Sequence, residues 1–450
     1  MPSGMADFAA TLTYEELPDQ LLAVLRRSFF DTLGVAAIGS TTDMAASARA
    51  GALAMFGVGD SGAARILMDG RPVSPAGAAM AGAFTIDAID AHDGTTPNKG
   101  HAGSAVFPAL LAVADALVDA GEEVSGANLA TWLAIAYEVS YRAGQVQHAT
   151  VADYHTSGSW TAVGIAAACA RMLGCSDDVI REAAGIGEYH GPRSQMMRCI
   201  DFPTNLRDGV GWGAPSGVTA AYLARAGLTG APALTCESDD AVPHWADLGT
   251  AWRTIEHTHY KPYPCCRWAH PAIDGVKHLM EEHQIRHQQI AAIRIRTFHY
   301  ATRLAGHEPQ SLDEFSYGIA FPVATMAVRG QIGAQELTVD TLQDADVLRV
   351  SRVTELIDDD EMTRISTDQR WAQVTIETFD GRVFNDRPRT PRGDTDAPLS
   401  DAEINEKFHS FADPVLGTER AGQMADLSQR FDQLDSATFK TLLDLCVRRP

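Results

Sequence analysis

The pattern of apolar residues changes character near residue 256, and no single packing layer accommodates both patterns. Up to about residue 250 the chain is rich in Ala, Leu, Val and Met at helical spacing. Leu110, Val113, Ala114 and Leu117 repeat at i, i+3, i+4 and i+7 behind Ser104, a helix start. Thr13-Tyr14-Glu15-Glu16 has capping-box spacing ahead of LPDQLLAVLRRSFFDTLGVAAIG. The run TAVGIAAACARMLG (161–174) predicts a buried helix closed by Gly174. Beyond 256, Ile290, Ile293 and Ile295 suggest a strand. The run WAQVTIETFDGRVF (371–384) predicts a hairpin turning at Asp380-Gly381, with helical FPVATMAVRG between the two. A linker-like run, NDRPRTPRGDTDAPLS, follows, and Ser400-Asp401-Ala402-Glu403 opens new helices. At 450 residues the chain exceeds what one core usually serves. The expectation is a mainly α fold. A large all-helical domain, discontinuous over 1–255 and 396–450, carries a smaller α+β lid domain over 256–395.

The formal net charge of −22 argues against a nucleic-acid or anionic-membrane partner, because phosphate binding wants a basic surface. No stretch of about 18 apolar residues predicts a membrane span. The N-terminus, MPSGMADFAATLTYEEL, lacks the basic start and apolar run of a signal peptide, so cytoplasmic residence is expected. The seven cysteines (169, 175, 199, 236, 265, 266 and 446) show neither a repeated spacing nor a CxxC, so they predict no disulfide framework or zinc ribbon. An anionic substrate would need a locally gathered positive charge against this field.

Four segments concentrate chemistry. The first holds Asp87, Asp90, His92, Asp93, Thr95, Thr96, Lys99 and His101, a polar stretch between apolar helical runs. Carboxylates beside histidines can orient an imidazole for proton transfer, or the stretch can be a solvated loop that caps helices. In the second, His155 precedes the helix start Thr156-Ser157-Gly158-Ser159, where free N–H groups can hold a carboxylate or Ser and Thr simply cap. In the third, Arg207 adjoins GVGWGAPSG, which lacks the order of a phosphate loop; its glycines suit close helix packing. The fourth runs from His257 to His270. Lys261 and Arg267 there can clamp a carboxylate, while Cys265 and Cys266 are either nucleophiles or packing residues. His92, Asp93, His101, His155, His257 and His259 are potential metal ligands, but no HExxH or comparable spacing supports a metal hydrolase.

At these segments the chain resembles the MmgE/PrpD family, which includes 2-methylcitrate dehydratase, cis-aconitate decarboxylase and iminodisuccinate epimerase. The resemblance spans most of the chain. It rests on FFDTLGVAAIGS (29–40), GHAGSAVFPALLAVADA, YHTSGSWTAVGIAAACARMLG, TNLRDGVGWGAPSGVTAAYLARAGLTG and KPYPCCRWAHPAID, in that order. It implies a helical domain with an α+β lid, a site between them, a homodimer, and no metal or organic cofactor. It implies an enzyme, either a cofactor-independent hydro-lyase or an isomerase, on a small anionic carboxylate. The reaction expected is proton abstraction next to a carboxylate with β-elimination. Epimerisation or decarboxylation by the same machinery are alternatives, as is an inactive binding protein of the same fold. Carried over residue by residue, the catalytic set is His101, His155, Asp90 and Asp93. The substrate-binding set is His92, Thr95, Lys99, Arg207, Lys261, Cys266 and His270. Two departures touch positions expected near substrate. The family's DFDDT reads DAHDGT here, with His92 in place of an acid, and Phe321 stands where some members carry tyrosine.

Overall fold

The computed structural model describes residues 4–60 and 62–450. It is a mainly helical fold of two domains, built on two hydrophobic cores. The first core draws on residues from Met5 to Tyr260 and again from Leu399 to Cys446. The second draws on Tyr263 to Ile376, joined by Met196, Cys199 and Ile200 from the short helix Met196–Asp201. No helix among the described residues is long and apolar enough to cross a membrane.

The long helix Asp19–Gly39 buries Leu22, Leu25, Phe29 and Leu33, one stripe at helical spacing. The capping box at Thr13 forms, but it closes only the single turn Tyr14–Glu16; Pro18 then starts the helix proper. Phe30 stacks on Phe408 of helix Asp401–Leu416 at 4.3 Å between ring centroids, so the C-terminal helices return to the first core. Helices Gly126–Thr150, Gly158–Met172 and Val210–Arg225 pack closely through small residues. A Cβ on Gly213 would lie 2.5 Å from the Cα of Gly158, so this crossing admits no side chain. That is the role of the glycines in GVGWGAPSG, which form part of a helix rather than a phosphate loop.

The second core is a four-stranded sheet in the order 354–358, 290–297, 372–378, 383–385. The hairpin turns at Gly381 (φ 83°), and Ile295 pairs antiparallel with Val374. The parallel neighbour Thr354–Asp358 carries no alternation of its own and was not legible in the sequence. Ile290, Ile293, Ile295, Val374 and Ile376 all point inward, each worth roughly 1.5–3 kcal/mol of burial. Helix His270–His283 covers them, with Gly275 set against Val374. The run after Asn385 is not a loose linker. Asp394 is buried and holds Arg267, and Tyr260 donates its backbone N–H to the Gly393 carbonyl.

Candidate active site

The stretch from Asp87 to His101 lies between helices Pro75–Asp87 and Gly103–Asp119, and it is buried rather than solvated. Asp87, Asp90, His92, Asp93, Thr95 and Asn98 are each at most 2% exposed. Burial follows from two anchors. Gly94–Thr95 pairs antiparallel with Thr258–His259, and Thr95 also pairs with Gly100, so the loop is folded on itself against the chain that enters the second domain. Behind it, Lys407 of the C-terminal helix donates to the Ala91 carbonyl at 2.6 Å and pairs with Asp31 at 2.7 Å. Five non-glycine residues among those described adopt positive φ, and three of them are Asp90, Lys99 and Arg207. Such backbone is costly and concentrates where side-chain placement matters.

The buried acids are each assigned to a partner. Lys261 Nζ lies 2.5 Å from Asp90 Oδ1 and donates to the Asp90 carbonyl at 2.9 Å. His92 Nε2 meets Asp87 Oδ1 at 3.0 Å, and its Nδ1 faces the Asp93 carbonyl at 3.2 Å. Both ring nitrogens therefore face acceptors, which calls for the imidazolium. Burial pulls the His92 pKa down, but the hydrogen bond it donates to Asp87 and the charges of Asp87 and Asp90 leave it raised. His92 thus adds a cation beneath the site. Asp93 turns its carboxylate away from both histidines. Oδ1 accepts the Gly103 N–H at 2.9 Å and caps the following helix, and Oδ2 accepts the Tyr137 hydroxyl at 2.6 Å. Burial raises its pKa. Its backbone carbonyl is what orients the imidazoles.

That carbonyl fixes His101. The Asp93 oxygen can only accept, so His101 Nδ1, 2.7 Å away, carries the proton and Nε2 is left as a base. Burial, then the charges of Lys261 and His92, hold the His101 pKa well below the ordinary histidine range, so the ring is neutral at neutral pH. Nε2 lies 3.7 Å from Asp208 Oδ2. Ser157 sets this spacing: its hydroxyl accepts the His101 N–H at 2.9 Å and donates to Asp208 Oδ1 at 3.1 Å. Gly94 makes room for it, since a Cβ there would sit 2.9 Å from His101 Nδ1 and 2.5 Å from His259 Nε2.

His101 and Asp208 open onto a narrow cavity at the junction of the two cores. Three cations, Lys99, Arg267 and Arg370, line it as well. Arg267 is held by Asp394 (Nε to Oδ1, 2.8 Å) and reaches Thr96 Oγ1 at 3.3 Å. Arg370 donates only to the Ser366 and Gln369 carbonyls, each at 3.0 Å, and its buried Nε has no partner. Burial and the neighbouring Arg267 lower its pKa to about 10, which leaves it charged at neutral pH. Thr95 Oγ1, His259 Nε2 and Tyr317 Oη are further buried polar atoms without partners on residues that line the same cavity. Such orphaned groups cost stability unless a ligand or water meets them.

Of the residues expected from sequence, Asp90, Thr95, Lys99, His101 and Cys266 line the cavity. Lys261 and His92 lie beneath it through Asp90 and Asp87. Arg207 is buried behind Tyr317, its guanidinium 5.6 Å from that ring and its Nη2 2.6 Å from Asp313. His155 is not among the lining residues; its Nδ1 faces the Asp153 carbonyl at 2.7 Å. His270 is a packing residue, bonded to the Cys265 carbonyl at 3.0 Å and set edge-on against Tyr263. Burial, then Asp90, push the Cys266 thiol up to about 12, which keeps it protonated at neutral pH. Phe321 is fully buried against Phe315, and Tyr317, four residues earlier, supplies the phenol at the cavity. Asp208, Arg370 and Tyr317 were not singled out by sequence. They come from segments distant in the chain, and what sets Asp208 apart, its place between the left-handed Arg207 and Gly209, is visible only in the folded backbone.

Among the described residues, two groups bring ligand atoms within 4.8 Å of one another: Asp90, His92 and His101, and Asp87, Asp90 and Asp208. Neither is built for a metal ion. The Lys261 ammonium sits on Asp90 and the His92 ring on Asp87, so the shared oxygens already face this chain's own cations.

Known proteins share this chain's pattern from end to end. The cis-aconitate decarboxylase of Aspergillus terreus is 21% identical over 481 residues, taking in 100% of this chain and 96% of the relative. That of Homo sapiens is 25% identical over 460 residues, with 95% and 91% covered. That of Mus musculus is 22% identical over 464 residues, with 96% and 91% covered. Residues 3–246 match the MmgE/PrpD N-terminal domain and residues 263–433 the MmgE/PrpD C-terminal domain. Between them the two matches leave only residues 247–262, the segment that holds His259 and Lys261, and the chain belongs to the MmgE/PrpD family.

Proposed function

We propose that this chain is a lyase that acts on a small di- or tricarboxylate by removing a proton from carbon next to a carboxylate and expelling a β-leaving group. The observation that carries the reading is the basic Nε2 of His101 facing a cavity that Lys99, Arg267 and Arg370 also line. A neutral imidazole is the right base for a weakly acidic C–H at neutral pH. Cations lining the same cavity hold the substrate carboxylates and stabilise the enolate-like charge that develops. The gathered arginines and lysine also answer how a chain of net charge −22 attracts an anion. The chemistry uses side chains alone.

A second reading, decarboxylation, is favoured by the relatives, which are named for that reaction on cis-aconitate. There CO₂ is the leaving group and the same cations hold the remaining carboxylates. The test is turnover of 2-methylcitrate, citrate, cis-aconitate and iminodisuccinate by wild type and by His101→Ala. Release of water or of CO₂ separates the two readings, and inversion without release would indicate an epimerase. Turnover that His101→Ala leaves intact would overturn this assignment of the base.

A further inference from the structure

We propose that Asp208 is the second proton-transfer group of this site, carrying a proton in the resting protein and exchanging it with substrate beside His101. The inference rests on reading the cavity as an acid–base site on carbon next to a carboxylate, and adds to it the group that supplies the acid.

The geometry decides which carboxyl holds a proton. Asp87, Asp90 and Asp208 bring oxygens within 4.8 Å of one another in a buried site. Three such charges cannot all persist without equal compensation. Asp90 has the Lys261 ammonium and Asp87 has His92. Asp208 has only the Ser157 hydroxyl on Oδ1, and its Oδ2 faces the neutral ring of His101 at 3.7 Å. Arg207, the preceding residue, gives Nη2 to Asp313, and neither its Nε nor its Nη1 bonds Asp208. The uncharged neighbours that feel Asp208 are Tyr154, Cys199, Cys266 and Tyr317. The least compensated carboxyl takes the proton. In agreement, burial and the charges of Asp87 and Asp90 raise the Asp208 pKa to about 7, against the pull of His92 and Lys261.

In an elimination the step balances as follows. His101 Nε2 takes the proton from carbon, and the C–H electron pair becomes the new C=C bond as the C–O bond breaks. The Asp208 Oδ2 proton goes to the departing hydroxyl, which leaves as water. His101 is then an imidazolium and Asp208 a carboxylate. One proton passing from Nε2 to Oδ2 restores both.

The test is Asp208→Asn, which keeps an acceptor for Ser157 but cannot hold or release the proton. On whichever carboxylate the wild type turns over, kcat should fall by about 10²- to 10³-fold with KM changed less than about threefold. The fall of kcat/KM with rising pH near neutrality should disappear with it. Activity within about threefold of wild type and an unchanged pH profile would overturn the proposal. If His101→Ala abolishes turnover while Asp208→Asn does not, this inference fails and the proposed function survives. If no carboxylate is turned over, the proposed function fails and infrared difference spectra between about pH 5 and pH 9 decide the rest. A buried protonated-carboxyl band in wild type, lost near neutral pH and missing in Asp208→Asn, supports the assignment. Its absence from wild type overturns it.

Discussion

The two sides of the cavity handle charge in opposite ways. On the loop side, Asp90 and Asp87 are each locked to a buried cation and Asp93 to a helix end, so almost every charged atom is spent inside the protein. What remains free is a neutral base and one carboxyl, His101 and Asp208. On the side of the second core, charge is left over. Arg370 has only backbone carbonyls for partners. Lys99, which the loop itself contributes, is likewise unspent: it has no carboxylate within ion-pair reach among the described residues, its ammonium lying 5.8 Å over the Tyr154 ring. One side is built to move protons and the other to receive negative charge. Substitutions on the two sides should therefore separate in kinetics, kcat on the first and KM on the second.

His101→Ala tests the proton side most directly. A positioned general base contributes about 10²- to 10⁴-fold, so kcat should fall by roughly 10³-fold while KM stays near wild type. A dominant change in KM would mean that His101 binds substrate rather than moving its proton. Gly94→Ala leaves every functional side chain in place and moves His101 instead. The new Cβ would lie 2.9 Å from His101 Nδ1 and 2.5 Å from His259 Nε2, so the ring must shift off the Asp93 carbonyl. A displacement on the order of 1 Å costs about 10²-fold. A fully active Gly94→Ala variant would show that the tautomer set by Asp93 is dispensable.

On the other side, Arg370→Met keeps the aliphatic bulk against Phe298, where the guanidinium now packs at 5.5 Å. Losing one charge-assisted contact should raise KM by about tenfold or somewhat more and lower kcat less. Steady-state kinetics on the best substrate of the panel checks this. A kcat effect as large as that of His101→Ala would erase the division between the two sides. Arg370 also marks the limit of the sequence. The loop 87–101, Lys261 and the hairpin after 371 were legible because each signal is local: a crowded polar run, a basic residue in a recognisable segment, alternation around Asp-Gly. Arg370 and Asp208 have chemistry only through partners far away in the chain. Arg370 acquires it from its place just before the strand 372–378, where it lines the cavity with Arg267, and Asp208 from Ser157 and His101. Asp93 is the complementary case: the resemblance carries it over as a catalytic carboxylate, while the backbone points its side chain at a helix end and its carbonyl at the rings.

The smallest effect expected is on stability, and it isolates Asp208 without any substrate. Its pKa rises from an ordinary 3.8 to about 7 in the folded protein, first through burial and then through Asp87 and Asp90. Between those values the folded chain holds a proton that the unfolded chain has released, so stability falls as pH rises across that window. The contribution is fully present below about pH 4 and is lost as pH passes about 7. His101 acts in the opposite sense. Its folded pKa lies well below 6.5, so its neutral burial costs stability as pH falls. Both effects are present in wild type, and a single melting curve against pH would mix them. Asp208→Asn keeps His101 and removes only the ionising carboxyl. The melting temperature of the variant minus that of wild type should therefore climb between about pH 4 and pH 7 and level off above it. A difference that stays flat across the range would mean that Asp208 is ionised throughout, and that the loop side holds three buried charges instead of two charges and a proton.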